Sequence, residues 1–208
     1  MTIKATAALS ILAIWIGTLV GVVISHGAWP AIIFALLATG AVGVSAARRL
    51  GISRLVAVAG TWAAIGWAIG AHEGNWWISV FAFLTTGAVV YSTLRRDALV
   101  AGMGVAAAWL AVAAATQSHP GAAWMGVFAF LTAGAISNTG GGNMRGASAI
   151  LWWGIAAGIV IAGGDGWAWV SVLAFLLTSA SLGFSDFSLP RGLEWDLFDR
   201  DDDSGSVR

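Results

Sequence analysis

Four copies of one apolar segment at a nearly constant interval constrain this chain more than any other feature. The clearest copy runs Trp76-Trp77-Ile78-Ser79-Val80-Phe81-Ala82-Phe83-Leu84-Thr85-Thr86-Gly87-Ala88. Others span Trp29 to Ala41, Ala123 to Ala135 and Trp169 to Ala180. Aligned on Gly40, Gly87, Gly134 and Ser179, they lie 47, 47 and 45 residues apart. A fixed period of this length means a repeated supersecondary unit, which sets the architecture before any local propensity does.

The medium follows from the charges. Between Ala5 and Phe184 the ionised residues are Arg48, Arg49, Arg54, Glu73, Arg95, Arg96, Asp97, Arg145 and Asp165. Nearly all fall between apolar runs of about 17–25 residues, the length that crosses a hydrocarbon core of about 30 Å. With 59% apolar residues and a mean hydropathy of +0.85, the expected class is an all-α membrane protein. A transmembrane barrel would alternate polar and apolar residues over segments of about ten, and these runs are continuous. The absence of cysteine removes disulfides, thiolate metal sites and Cys nucleophiles.

Eight transmembrane helices are expected, at about 5–25, 29–47, 53–71, 76–94, 98–117, 122–138, 146–163 and 167–184. They group into hairpin repeats of about 5–47, 53–94, 98–138 and 146–184, forming a domain over 1–184. Two helices return the chain to its starting side, so the units insert in parallel, and a pseudo-four-fold ring or arc is expected. The odd spans share a Trp followed by small residues four apart: Trp15 with Gly17 and Gly21, Trp62 with Ala64 and Ala68, Trp109 with Ala111 and Ala115, and Trp152-Trp153 with Gly154 and Gly158. Small residues at that spacing let helix backbones approach closely in lipid.

Lys4, Arg48, Arg49, Arg54, Arg95, Arg96, Arg145 and the tail arginines fall on one side, and the opposite turns carry no Lys or Arg. The positive-inside rule therefore predicts a multi-pass cell-membrane protein with both termini cytoplasmic. Trp29, Trp76, Trp77, Trp124, Trp167 and Trp169 form the expected outer aromatic belt. The run Asn138 to Gly146 is expected to be a flexible Gly-rich linker, since it lacks the Lys and the preceding strand of a phosphate loop. From Ser185 to Arg208 the chain has seven acidic residues against three basic ones, a net −4. A short amphipathic helix after Pro190 and an acidic end, free to contact the basic loops or another protein, are expected there. The bilayer is the expected partner and nucleic acid is not.

Chemistry has few candidates. His26, His72, His119 and Asp165 occupy matching places at the ends of the odd spans. Converging, they would suit a divalent transition metal or a proton sensor, with Glu73 orienting His72; not converging, they are helix-end caps. Thr39, Thr85, Thr86, Thr132 and Thr178 would line a polar pathway or bond within the bundle. No Lys after Lys4 can hold a retinal, no charge lies deep in a span for ion coupling, and no hydrolytic set is present. The expectation is thus a non-catalytic scaffold, accessory subunit or small-ligand binder. A channel or uncoupled carrier for a small neutral solute and an outer-face metal or pH sensor are the alternatives.

Overall fold

A computed structural model describes residues 3–45, 51–92, 98–138 and 142–181. The acidic tail, its expected amphipathic helix and the arginines at 48, 49, 95 and 96 lie outside the described residues. Among the described residues the structure is helical, without a strand: α1 Ile3–Ser25, α2 Ala31–Ser45, α3 Ile52–Ala71, α4 Ile78–Tyr91, α5 Leu99–Ser118, α6 Met125–Ser137, α7 Gly142–Gly163 and α8 Val170–Ala180. Five helical segments are long and apolar enough to cross a membrane: Ala5–Ser25, Ile52–Ala71, Leu99–Ser118, Pro120–Ser137 and Gly142–Gly163.

The even-numbered helices begin later than expected. Short 3₁₀ helices, Glu73–Trp77 and Pro120–Trp124, precede α4 and α6, and a shorter one, Asp165–Trp167, precedes α8. Conversely, α7 starts at Gly142, so much of the expected linker is helix. Asn143 explains part of this: its Oδ1 accepts a hydrogen bond from the Ala101 N–H at 3.3 Å. That N–H lies in the first turn of α5 and is shared with the Ala98 carbonyl at 3.1 Å, so Asn143 ties the start of α7 to that of α5.

The odd helices pack side by side in chain order, α1 on α3, α3 on α5 and α5 on α7. The even helices form a second row in the same order, and each even helix also packs on the odd helix that precedes it. The result among the described residues is an open two-row array rather than a closed ring: α3 and α5 each pack on two odd helices, on opposite faces, whereas α1 and α7 each pack on one. Contacts in the odd row rise in step along the chain. A side chain at Gly17 would strike the carbonyl of Trp62, and one at Gly21 would meet Gly66 at 3.0 Å. Likewise Gly102 lies on the Ser53 carbonyl and Gly146 on that of Val100. Rising numbers on both partners mean parallel neighbours. Backbone approach this close needs residues without side chains, and dispersion across it supplies the association that lipid does not.

Two buried arginines close helix ends at the opposite edge from the His-bearing turns. Arg54 donates to the Ser92 carbonyl at 2.8 Å, beyond the end of α4, and Arg145 donates to the Ala135 carbonyl in the last turn of α6. A cation there satisfies free carbonyls and complements the negative end of the helix dipole.

Candidate functional site

Between the two rows lies a layer of indoles and hydroxyls. Trp62, Trp109 and Trp153 are each 0% exposed. Trp109 Nε1 donates to Thr85 Oγ1 on α4 at 3.2 Å, and Trp153 Nε1 donates to Thr132 Oγ1 on α6 at 3.2 Å. Each of these bonds ties an odd helix to the even helix of the preceding hairpin. Trp62 differs, donating to Thr86 Oγ1 at 3.0 Å within its own hairpin. The reason is legible in the residues: 47 positions before Thr85 stands Ala38, which offers no acceptor. Thr86 in turn donates to the Ala82 carbonyl at 2.9 Å, so its hydroxyl is both donor and acceptor. An indole carries one donor and no acceptor, so a single hydroxyl satisfies it in an apolar interior.

The other expected pathway threonines are equally committed to packing or enclosed by it. Thr178 is fully buried and donates to the Ala174 carbonyl at 2.7 Å. The Thr39 hydroxyl is buried without a hydrogen-bond partner among the described residues. Around this layer Ile78, Val89, Met125 and Ile136 are 0% exposed and fill the space between rows. Sequence reasoning gave the threonines to a pathway, to their own helices or to a neighbouring helix, and missed the indoles as their partners. The signal was present, since every odd span carries a Trp near its middle, and every even span carries a Thr one or two residues before its aligned small residue.

Among the expected small packing residues, Gly17 and Gly21 meet α3 directly, and Ala64, Ala68, Ala111 and Ala115 are buried. In α7 the buried indole is Trp153, one residue beyond Trp152. This shift turns Gly154 and Gly158 outward, where an added Cβ would meet nothing within 4 Å.

At the other end of the array the four turns are spread along the row. His26, His72 and His119 each follow the last residue of an odd helix, and their backbone N–H groups close it. His26 donates to Val22 at 3.0 Å, His72 to Ala68 at 3.3 Å and His119 to Ala115 at 2.8 Å. Gly164, not Asp165, makes the matching bond in the last hairpin, to Val160 at 2.8 Å. His26 takes a positive φ of 58°, whereas His72 and His119 are extended. The chain therefore leaves α1 by a left-handed cap and enters α2 through Trp29-Pro30 rather than through a 3₁₀ helix. Of the four candidate ligands only His119 and Asp165 are brought together, with Nδ1 and Oδ1 3.9 Å apart. His119 Nε2 also lies 3.4 Å from the Ile161 carbonyl. Among the described residues no three His, Asp or Glu side chains form a group fit to hold a metal ion. Glu73 lies over Gly27 of the preceding turn, and Asp165 lies over Gly121 in the same manner.

The aromatics near the His-bearing turns build a ladder on the even row. Trp77 meets Phe81 edge-on at 6.1 Å and Trp124 meets Phe128 at 5.6 Å, while Phe81–Phe130 and Phe128–Phe175 are tilted pairs at 6.2 and 6.3 Å. Such pairs contribute about 0.5–1.5 kcal/mol beyond area burial. Trp29, Trp167 and Trp169 remain 48–65% exposed.

No protein-family model, curated protein or solved structure matches this chain.

Proposed function

We propose that this chain is a non-catalytic, multi-pass membrane scaffold. Its four parallel two-helix units cross the bilayer eight times, with both termini on the cytoplasmic side. The observation that carries the reading is the indole–hydroxyl layer. Trp62, Trp109 and Trp153, fully buried, engage the hydroxyls of Thr86, Thr85 and Thr132, and Thr178 bonds its own helix, so of the expected pathway threonines Thr39 alone has no partner among the described residues. A channel needs hydroxyls facing water, and a transporter needs a polar site near mid-membrane. The layer supports neither arrangement.

Five segments meet the length and hydropathy expected of a span, and α4 with the 3₁₀ helix before it adds a sixth of full length. The 3₁₀ helix before α4 has 5 residues and α4 has 14. At about 2.0 Å and 1.5 Å rise per residue they reach about 31 Å together, matching the hydrocarbon core. The 15 residues of α2 reach about 22 Å, a shortfall that local bilayer thinning absorbs. Arg54 and Arg145 at one edge and the exposed tryptophans at the other support the cytoplasmic placement of the termini. The scattered outer histidines favour capping over metal binding or pH sensing.

Reconstitution into liposomes tests the function. Water, glycerol and urea permeabilities followed by stopped-flow light scattering should equal those of protein-free vesicles at every protein-to-lipid ratio. A solute flux that rises with protein content and is altered by Thr132→Val would overturn the scaffold reading in favour of a channel.

A further inference from the structure

Among the described residues the array is open at both ends, and its internal interfaces all follow one plan. Counting from Trp15, Trp62, Trp109 and Trp153, the second residue onward is Gly17, Ala64, Ala111 and Ile155, and the fourth is Leu19, Gly66, Ala113 and Ala157. Positions two apart on a helix face opposite ways, so the first set looks toward the next odd helix and the second toward the previous one. The closest contact fits this: a side chain on Gly66 would be driven into the carbonyl of Gly17. Where a neighbour exists, both positions are small and closely covered: Ala64 and Ala113 are 1% exposed, Ala111 6% and Ala157 8%.

Where no neighbour exists, the rule reverses. Leu19 on the free face of α1 is 47% exposed, and Ile155 on the free face of α7 is 43% exposed. Ile159, at the place held by Gly21, Ala68 and Ala115, is 38% exposed. The even row repeats the change, with Leu36 and Leu173 exposed in line with the Phe81–Phe130 and Phe128–Phe175 pairs. Beside Ile155 and Ile159 runs a groove of about 120 Å³ between α7 and α8, lined by apolar side chains that include Leu173 and Leu177.

A chain built of parallel units invites a second copy to add its α1 to this α7, continuing the row head to tail. A heterologous contact of that kind closes into a ring or runs on as a filament. We infer that Leu19, Ile155 and Ile159 forbid it: they hold the end faces beyond the backbone approach that the internal interfaces use. Terminal repeats of an array are characteristically altered in this way. The inference rests on the four-unit reading given above.

The test uses the absence of native cysteine. Gly102 lies on the Ser53 carbonyl and Gly146 on that of Val100, and the same step from α7 to a second α1 sets Met144 against Ala8, both exposed. A chain carrying Ala8→Cys and Met144→Cys, oxidised in bilayers, should remain monomeric on non-reducing gels. Adding Leu19→Gly, Ile155→Gly and Ile159→Ala should produce a ladder of disulfide-linked multimers. A ladder from the two-cysteine chain alone overturns the inference, as does a monomeric five-substitution chain that keeps its helical circular dichroism. If that chain fails to fold, Leu19→Ala with Ile155→Ala replaces it, judged the same way. Gly66→Leu tests the units separately, since it must destabilise the monomer. If it is silent, the stacking of the units is wrong; if it destabilises while the opened chain stays monomeric, only the closure of the ends is wrong.

Discussion

Replacing Thr132 by Val removes one hydroxyl and keeps the volume, which isolates the bond on which the filled interior depends. Trp153 is 0% exposed, and its Nε1–H donates to Thr132 Oγ1 at 3.2 Å. After the substitution that N–H faces hydrocarbon without an acceptor, at a cost of about 1–3 kcal/mol for a buried orphaned donor. Membrane interiors lower the figure, because the unfolded helices also find partners; measured couplings there average about 0.6 and reach about 1.7 kcal/mol. Thr132→Val is therefore expected to destabilise by about 1–2 kcal/mol. Thr178→Val is the control: the Thr178 hydroxyl is engaged with its own helix at Ala174, and losing such a back-bond strands no other group. Unfolding in mixed detergent and lipid with increasing denaturing detergent supplies the free energies. A cycle of Trp153→Phe, Thr132→Val and the double variant should return a coupling of about 0.6–1.7 kcal/mol. A coupling inside the additivity error of about 0.3–0.5 kcal/mol, with Thr132→Val no worse than Thr178→Val, would refute the reasoning.

Other outcomes follow from the same contacts. Gly17→Ala, which drives a Cβ into the Trp62 carbonyl, should cost about 1–3 kcal/mol, whereas Gly154→Ala, open on its exposed face, should stabilise by about 0.5–1 kcal/mol; thermal melts of both variants check the contrast. His26→Gly should relieve the left-handed strain at φ 58° and gain about 1 kcal/mol, while His72→Gly, at an extended residue, gains nothing; the same melts distinguish them. Arg145→Met should cost about 1.5–3 kcal/mol by removing a charged donor from the Ala135 carbonyl, read by detergent unfolding. Substituting His26, His72 and His119 together by Ala should leave the metal content of the purified protein unchanged by mass spectrometry, and a loss of bound metal would reinstate the outer-face sensor.

Much of the fold was legible because lipid imposes a simple grammar. Charges on one side and short polar or Gly-rich turns on the other interrupt apolar runs, and the helices lie within a few residues of the places those breaks predict. What escaped was lateral. A sequence period says that units are alike but not whether they close a circle, which depends on the angle between opposite faces of one helix, and here the row stays open. Ring and row also differ in what they do to the outer turns. A ring would draw His26, His72, His119 and Asp165 toward one axis, whereas a row strings them out, so only the last two meet. The 3₁₀ starts of Glu73–Trp77 and Pro120–Trp124 carry no periodic apolar signature. The Trp152-Trp153 pair allowed two registers, and packing chose the one that buries Trp153. The indole–hydroxyl bonds were hidden because Trp109 and Trp153 reach back to the previous hairpin, a relation between units and not within one.

Impermeant maleimide labelling of single cysteines in intact cells tests the central claim most directly, since the native chain has none to block. Cysteines at Trp29, Gly74, His119 and Gly166 should all label from outside. Those at Ser92, Asn138 and Ser181 should label only after permeabilisation. A reversal at any one position would mean that the units do not all cross in parallel, and would contradict an eight-crossing array built from four like hairpins.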